Sequence, residues 1–164
     1  MRDFSPVYEL PNLPAVYALY CGTSARDVVY VGVAEKLKQR IIQHFLRRDS
    51  SVTNCTTAAN LNPDFVTRMQ WWHHDNFEDR TRLEAAEVIA FELLNPTLRS
   101  RGRVSSQALT LLENDDFRQT MTKLFKSPAS GTLTFPSLTD AFRKIDELER
   151  ELIEIKHLLM KQPK

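Results

Sequence analysis

The chain has 164 residues, of which 42% are hydrophobic and 26% charged, with a formal net charge of +1. That length suits one compact domain with at most an appended element, and the near-neutral balance excludes a protein that coats nucleic acid by bulk attraction. No apolar run approaches the roughly 20 residues of a membrane helix. The start, MRDFSPVYELPNLP, carries acids and prolines where a secretory leader needs an apolar stretch, so a cytoplasmic protein with no membrane attachment is expected.

Pro11 and Pro14 delay regular structure. Ala15 to Cys21 (AVYALYC) is rich in strand-favouring residues and stops at Gly22; Val28 to Val31 is a second strand ended by Gly32. The polar GTSARD between them predicts a hairpin. From Glu35 to Arg48 the period becomes helical, with Ala34, Leu37, Ile41 and Phe45 on one face and Lys36, Arg40, Gln43, His44 and Arg47 on the opposite one. Lys36, Lys38, Arg40, Arg47 and Arg48 precede any acid, which makes this face the local source of positive charge. Asp49 to Asp64 is polar and long, and no structure is assigned to it. Cys21 and Cys55 lack metal-ligand or redox spacing and are expected to be reduced.

Phe65 to Trp72 (FVTRMQWW) predicts a third strand beside the first two. Asn76 or Asp79 can cap a helix over Arg80 to Leu94, closed by Asn95-Pro96. A second basic cluster, Arg99, Arg101 and Arg103, follows, and then short helices at Ser105 to Leu112 and Asp116 to Phe125. Ser127 to Pro136 reads as a linker by composition. The tail, Ser137 to Met160, is a heptad helix with Leu138, Ala141, Ile145, Leu148, Leu152, Ile155 and Leu159 in successive a and d positions. It either pairs in a two-stranded coiled coil, giving a homodimer through 138–159, or lies back on the body. The expected architecture is thus mixed α+β: a small three-stranded antiparallel sheet flanked by helices over 1–104, a helical extension over 105–126, a linker over 127–136 and a heptad helix over 137–164.

Val16-Tyr17 stands thirteen residues before Tyr30-Val31-Gly32, and YVGVAEKLKQRIIQHF continues from strand through glycine to helix. This arrangement resembles the paired half-motifs of the GIY-YIG nucleases, most closely the nuclease domain of the bacterial excision-repair incision subunit. In that pattern an arginine stands ten residues beyond the second tyrosine and a tyrosine or histidine four further on, places held here by Arg40 and His44. Later, LEAAEVIAFELLNP is similar to the family's helix in which a glutamate lies nine residues before a proline, as Glu87 and Pro96 do. The resemblance covers roughly Pro14 to Gly102 and leaves out the tail. Three positions depart from it: Ala15 replaces the first glycine, Val33 stands where many members have a lysine, and Arg99 where many have an asparagine.

The resemblance implies a metal-dependent DNA endonuclease using Mg²⁺ or Mn²⁺, with Tyr17, Tyr30, Arg40, His44 and Glu87 as its catalytic set. Hydrolysis of a phosphodiester needs an activated water and charge neutralisation at the phosphoryl oxygens. Arg40 offers a planar cationic fork to those oxygens. Glu87 is the expected ligand of the divalent ion, with Glu84 and Glu92 as alternatives on the same helix. His44 can take a proton or orient a tyrosine, and Tyr17 or Tyr30 can act as base if its phenol is acidified. Gly32, Lys36, Arg47 and Arg99 are expected to meet the substrate backbone, Lys36 replacing the cation missing at Val33. His73-His74 lacks partners at ligand spacing and is given little weight as a metal site. A module that keeps the fold and binds nucleic acid or a partner without cutting is the alternative.

Overall fold

The computed structural model describes residues 5–21, 27–50, 53, 61–99, 103–136 and 138–160. The expected hairpin turn at 22–26, Cys55 and Arg101 lie outside the described residues. By its internal contacts the chain divides into two units, Asp3–Phe135 and Pro136–Lys164, the latter grouped with Met1–Arg2.

In the larger unit, strand β1 (Ala15–Tyr20) pairs antiparallel with β2 (Val28–Ala34) on one side and β3 (Arg68–Trp72) on the other. Every residue of β1 is buried, as expected of a strand covered on both faces. Cys21, just past the strand, is exposed and unbridged, and its amide donates to the carbonyl of Asp27 at 3.1 Å. The sheet has four strands in the order β2-β1-β3-β4, one more than the sequence suggests. The fourth, β4 (Gly131–Thr134), comes from the segment read as a linker. Its composition is that of a loop, but Leu133 and Phe135 alternate with Thr132 and Thr134, and the open edge of β3 supplies partners for its backbone. Gly131 is required there, because a Cβ would lie 2.0 Å from the Trp71 ring.

One face of the sheet carries Tyr17, Leu19, Tyr30 and Met69, packed with Leu37, Ile41 and Phe45 and with Val7 and Leu10 from a 3-10 turn at Ser5–Glu9. Helix α1 (Leu37–Ile42) covers this face and runs directly into a π-helical turn, Gln43–Arg47. Phe135 stacks on Phe45 at 4.8 Å and ties β4 to the same layer. The other face carries Val16, Ala18, Val31 and Trp72 beneath α2 (Arg80–Leu94) and α4 (Asp115–Lys126). Asp79 is the N-cap of α2, accepting from the amide of Arg82 at 2.9 Å, and Asn95 in left-handed conformation ends it before Pro96. Helix α3 (Ser106–Leu111) and α4, expected as an extension beyond residue 104, pack on α2 within this unit.

The smaller unit is one helix, α5 (Leu138–Met160). Among its described side chains Ile145, Leu148, Leu152 and Ile155 are about half exposed or more. No helix among the described residues is long and apolar enough to cross a membrane.

Candidate functional site

Tyr17 and Gly32 are directly opposed across the β1–β2 pair, and Tyr30 precedes Gly32 by two residues on the same face of β2. An ideal Cβ on Gly32 would lie 2.7 Å from the Tyr17 hydroxyl and 2.8 Å from Cε1 of Tyr30. The absent side chain is therefore what lets two phenols converge over one backbone position. Their ring centroids are 6.1 Å apart. Gly32 is itself buried, and its visible contribution is this clearance.

From the layer above, α1 and the π turn bring Arg40 and His44 onto the phenols. By polarity His44 groups with the solvated basic face; the structure buries it completely. It follows buried Leu37 by seven residues and buried Ile41 by three, so it stands on the border of the apolar face rather than on the basic one, and the π turn that follows Ile42 keeps it inward. Its Nε2 lies 2.6 Å from the Tyr17 hydroxyl and its Nδ1 2.7 Å from Ser50 Oγ. Burial first, and the Arg40 charge second, lower its pKa to about 3, so the imidazole is neutral.

Arg40 is half-buried between the solvent and both phenols. Burial lowers its pKa, but Tyr17 and Tyr30, by hydrogen bonding and, once ionised, by charge, raise it overall, so it stays cationic. Its Nη1 donates to Gln43 Oε1 at 3.4 Å, while its Nε is buried with no hydrogen-bond partner. A cationic fork with donor capacity left over is suited to receive an anion.

Glu87 projects from α2 and is buried. Its charge raises the pKa of both phenols, so it belongs to the same cluster. For Tyr30 the increase comes from burial first and Glu87 next, against lowering by Arg40 and by a hydrogen bond from Tyr17. For Tyr17, fully enclosed, burial dominates and the pKa rises well above its ordinary value. Both phenols therefore keep their protons at neutral pH. The alternative carboxylates serve elsewhere: Glu84 pairs with Arg80 at 3.1 Å and accepts from the Ser105 amide, and Glu92 pairs with Arg118 at 2.6 Å.

Of the remaining candidates, Lys36 and Arg47 flank Arg40 on α1 and its π extension and are exposed. Arg99 is exposed, donates to Asn95 Oδ1 at 2.6 Å and lies over the Phe91 ring. His73 donates from Nδ1 to the Pro14 carbonyl at 2.7 Å, and His74 accepts from the Asn76 amide. Trp72 is core, edge-on to Phe125. Two residues that sequence reasoning did not single out, Ser50 and Thr53, are buried beneath the cluster, their hydroxyls 2.7 Å apart. Only the Ser/Thr content of the stretch at 49–64 hinted at them. Among the described residues there is no group of three or more His, Cys, Asp or Glu able to hold a metal. Comparison with known protein families, with curated proteins and with solved structures finds no match to this chain.

Proposed function

We propose that the chain is a DNA endonuclease of the GIY-YIG type, hydrolysing phosphodiester bonds with the help of one divalent cation. The observation that carries this reading is the convergence of Tyr17, Tyr30, Arg40, His44 and Glu87, from β1, β2, α1, the π turn and α2, on one buried cluster. These are the residues that the spacing of the sequence motif singles out. The antiparallel arrangement of β2, β1 and β3 beneath them is in keeping with it.

A lone carboxylate fits Mg²⁺ or Mn²⁺, which keep most of their waters and take further ligands from the phosphate, and it does not fit Zn²⁺, which needs several protein ligands. Glu87 would hold the ion, which would supply positive charge beside the phosphoryl oxygens and the phenols. The chain's own residues do the rest. Arg40, half-buried and cationic, clamps the phosphoryl oxygens. Tyr30, the less enclosed phenol, would take the proton of the attacking water only as its phenolate, a form that the ion's charge, together with hydrogen bonds from Arg40 and Tyr17, would have to favour over the protonated one that burial and Glu87 favour. Tyr17 and His44 hold that geometry from behind. Lys36, Arg47 and Arg99, all exposed, are the groups for the DNA backbone. The heptad spacing of Leu138, Ala141, Ile145, Leu148, Leu152, Ile155 and Leu159 on α5 supports a homodimer through 138–159, which would present two such sites to a duplex.

The test is cleavage of plasmid, single-stranded and branched DNA in Mg²⁺ or Mn²⁺ by the full chain, by Arg40→Ala and by Glu87→Gln. Each substitution is expected to lower kcat by roughly 100-fold or more. Equal nicking by all three would remove the enzymatic assignment. Salt-dependent DNA binding without cleavage by the unmodified chain would identify a binding module instead.

A further inference from the structure

Behind the phenols lies a run of polar groups, of which Ser50 and Thr53 have no task in the proposed reaction. From Tyr17 the contacts pass to His44 at 2.6 Å, to Ser50 Oγ at 2.7 Å and to Thr53 Oγ1 at 2.7 Å, and all four residues are buried. A neutral imidazole carries one N–H and one lone pair, so the run has a direction.

The hydroxyl protons decide that direction. If Tyr17 donates to Nε2, then Nδ1–H donates to Ser50 and Ser50 to Thr53. Among the described residues the Thr53 hydroxyl is then left with only the Ser50 carbonyl at 3.5 Å, beyond useful O–H···O length. In the opposite sense Thr53 donates to Ser50 Oγ, Ser50 donates to Nδ1, and Nε2–H donates to Tyr17, so that each proton sits in a bond of 2.6 or 2.7 Å. Ser50 Oγ also accepts the Thr53 amide at 3.3 Å, which fits its role as donor to His44. With Nε2–H donating to its oxygen, the Tyr17 proton turns to Tyr30, whose Cε1 lies 2.8 Å from the point over Gly32 that is 2.7 Å from the Tyr17 hydroxyl.

We propose that Ser50 and Thr53 are positioning residues that hold His44 as its Nε2–H tautomer and so direct the Tyr17 hydroxyl proton onto Tyr30. Tyr30 becomes the acceptor end of a donor chain running Thr53, Ser50, His44, Tyr17. This deepens the nuclease reading and, in its catalytic consequence, rests on it. It assigns a task to a loop with no motif in it, and it separates the two tyrosines: Tyr17 passes a hydrogen bond on, Tyr30 receives.

The tautomer is measured directly on the full ¹⁵N-labelled chain, from long-range proton–nitrogen correlations of the His44 ring at neutral pH, assigned against His44→Gln. The expected spectrum has Nε2 protonated and Nδ1 bare. A protonated Nδ1 overturns the proposal, whether or not the chain cuts DNA. In cleavage, Ser50→Ala is expected to lower kcat roughly 10- to 100-fold with KM unchanged and to mix the two tautomers in the spectrum. Thr53→Val should lower kcat several-fold, and Thr53→Ser should leave it unaltered. A loss of kcat in Ser50→Ala with the tautomer unchanged would make Ser50 a packing residue and sink the idea. Failure of the unmodified chain to cleave defeats the nuclease reading instead, and the ring spectrum still decides the hydrogen-bond direction.

Discussion

Gly32→Ala isolates the close approach on which the cluster depends. A new Cβ would meet the Tyr17 hydroxyl at 2.7 Å, Tyr30 Cε1 at 2.8 Å and Tyr17 Cζ at 2.9 Å, all inside ordinary contact. The Tyr17 ring cannot retreat freely, because it is fully buried and its hydroxyl is 2.6 Å from His44. Overpacking of this kind costs about 1–3 kcal/mol, and stretching the Tyr17–His44 bond costs about 1 kcal/mol more. Against this, replacing glycine by alanine stiffens the unfolded chain and returns about 0.4–1 kcal/mol. Since Gly32 has no positive φ, that gain would prevail if there were room. The expected net effect is a loss of about 2–3 kcal/mol, measured by urea unfolding followed through Trp71 and Trp72 fluorescence. An unchanged or stabilised Gly32→Ala chain would show that the phenol does not lie over this backbone position.

His44 makes stability depend on pH. Its folded pKa of about 3 lies below the unfolded value of about 6.5. Its contribution is therefore complete above pH 6.5 and is lost as the pH falls towards 3, by up to about 1.4 kcal/mol per unit. Between pH 7 and 5 the unmodified chain should lose about 2 kcal/mol more than His44→Gln in urea titrations; equal losses would contradict the burial of the ring. Gly131→Ala should push the Trp71 ring off β4 and shift tryptophan emission to the red, since its Cβ would lie 2.0 Å from that ring. Asp79→Ala removes the cap of α2 and should cost about 1 kcal/mol in the same unfolding assay. For the tail, light scattering should find a dimer for the full chain and a monomer for a chain ending at Pro136. Monomers in both cases would refute pairing through the heptad.

Much of the fold was legible because the strongest signals are local. Arg80–Leu94 is bounded by a cap and an Asn-Pro stop, and the structure gives the helix those limits. The strands at Ala15–Tyr20 and Val28–Ala34 follow from strand propensity, but the second runs through Gly32 to Ala34 instead of ending at Val31, so glycine is misleading as a stop there. What escaped is non-local. Strand β4 forms because β3 has a free edge, which composition at 127–136 cannot report. The register of Tyr17 against Gly32 joins residues fifteen apart and is fixed by the hairpin as a whole. The burial of His44 escaped because a polar residue groups with its basic neighbours, although its spacing from Leu37 and Ile41 puts it at the border of the apolar face. Ser50 and Thr53 were hidden for the same reason, since nothing in a polar stretch marks which hydroxyls fold under a helix.

The π turn at Gln43–Arg47 can be viewed as one residue too many in an otherwise regular helix. Deleting Gln43, the one residue of the turn ahead of His44, would let the backbone hydrogen bonds relax to ordinary α spacing, lengthen α1 and rotate His44 by about 100° about the helix axis. The shortened chain would gain local regularity while turning a histidine outward and leaving the Tyr17 hydroxyl in an apolar layer without its ring partner. Insertions and deletions in this segment are thus more damaging than substitutions, because the length of the turn, rather than the identity of most of its residues, brings the imidazole to the phenols.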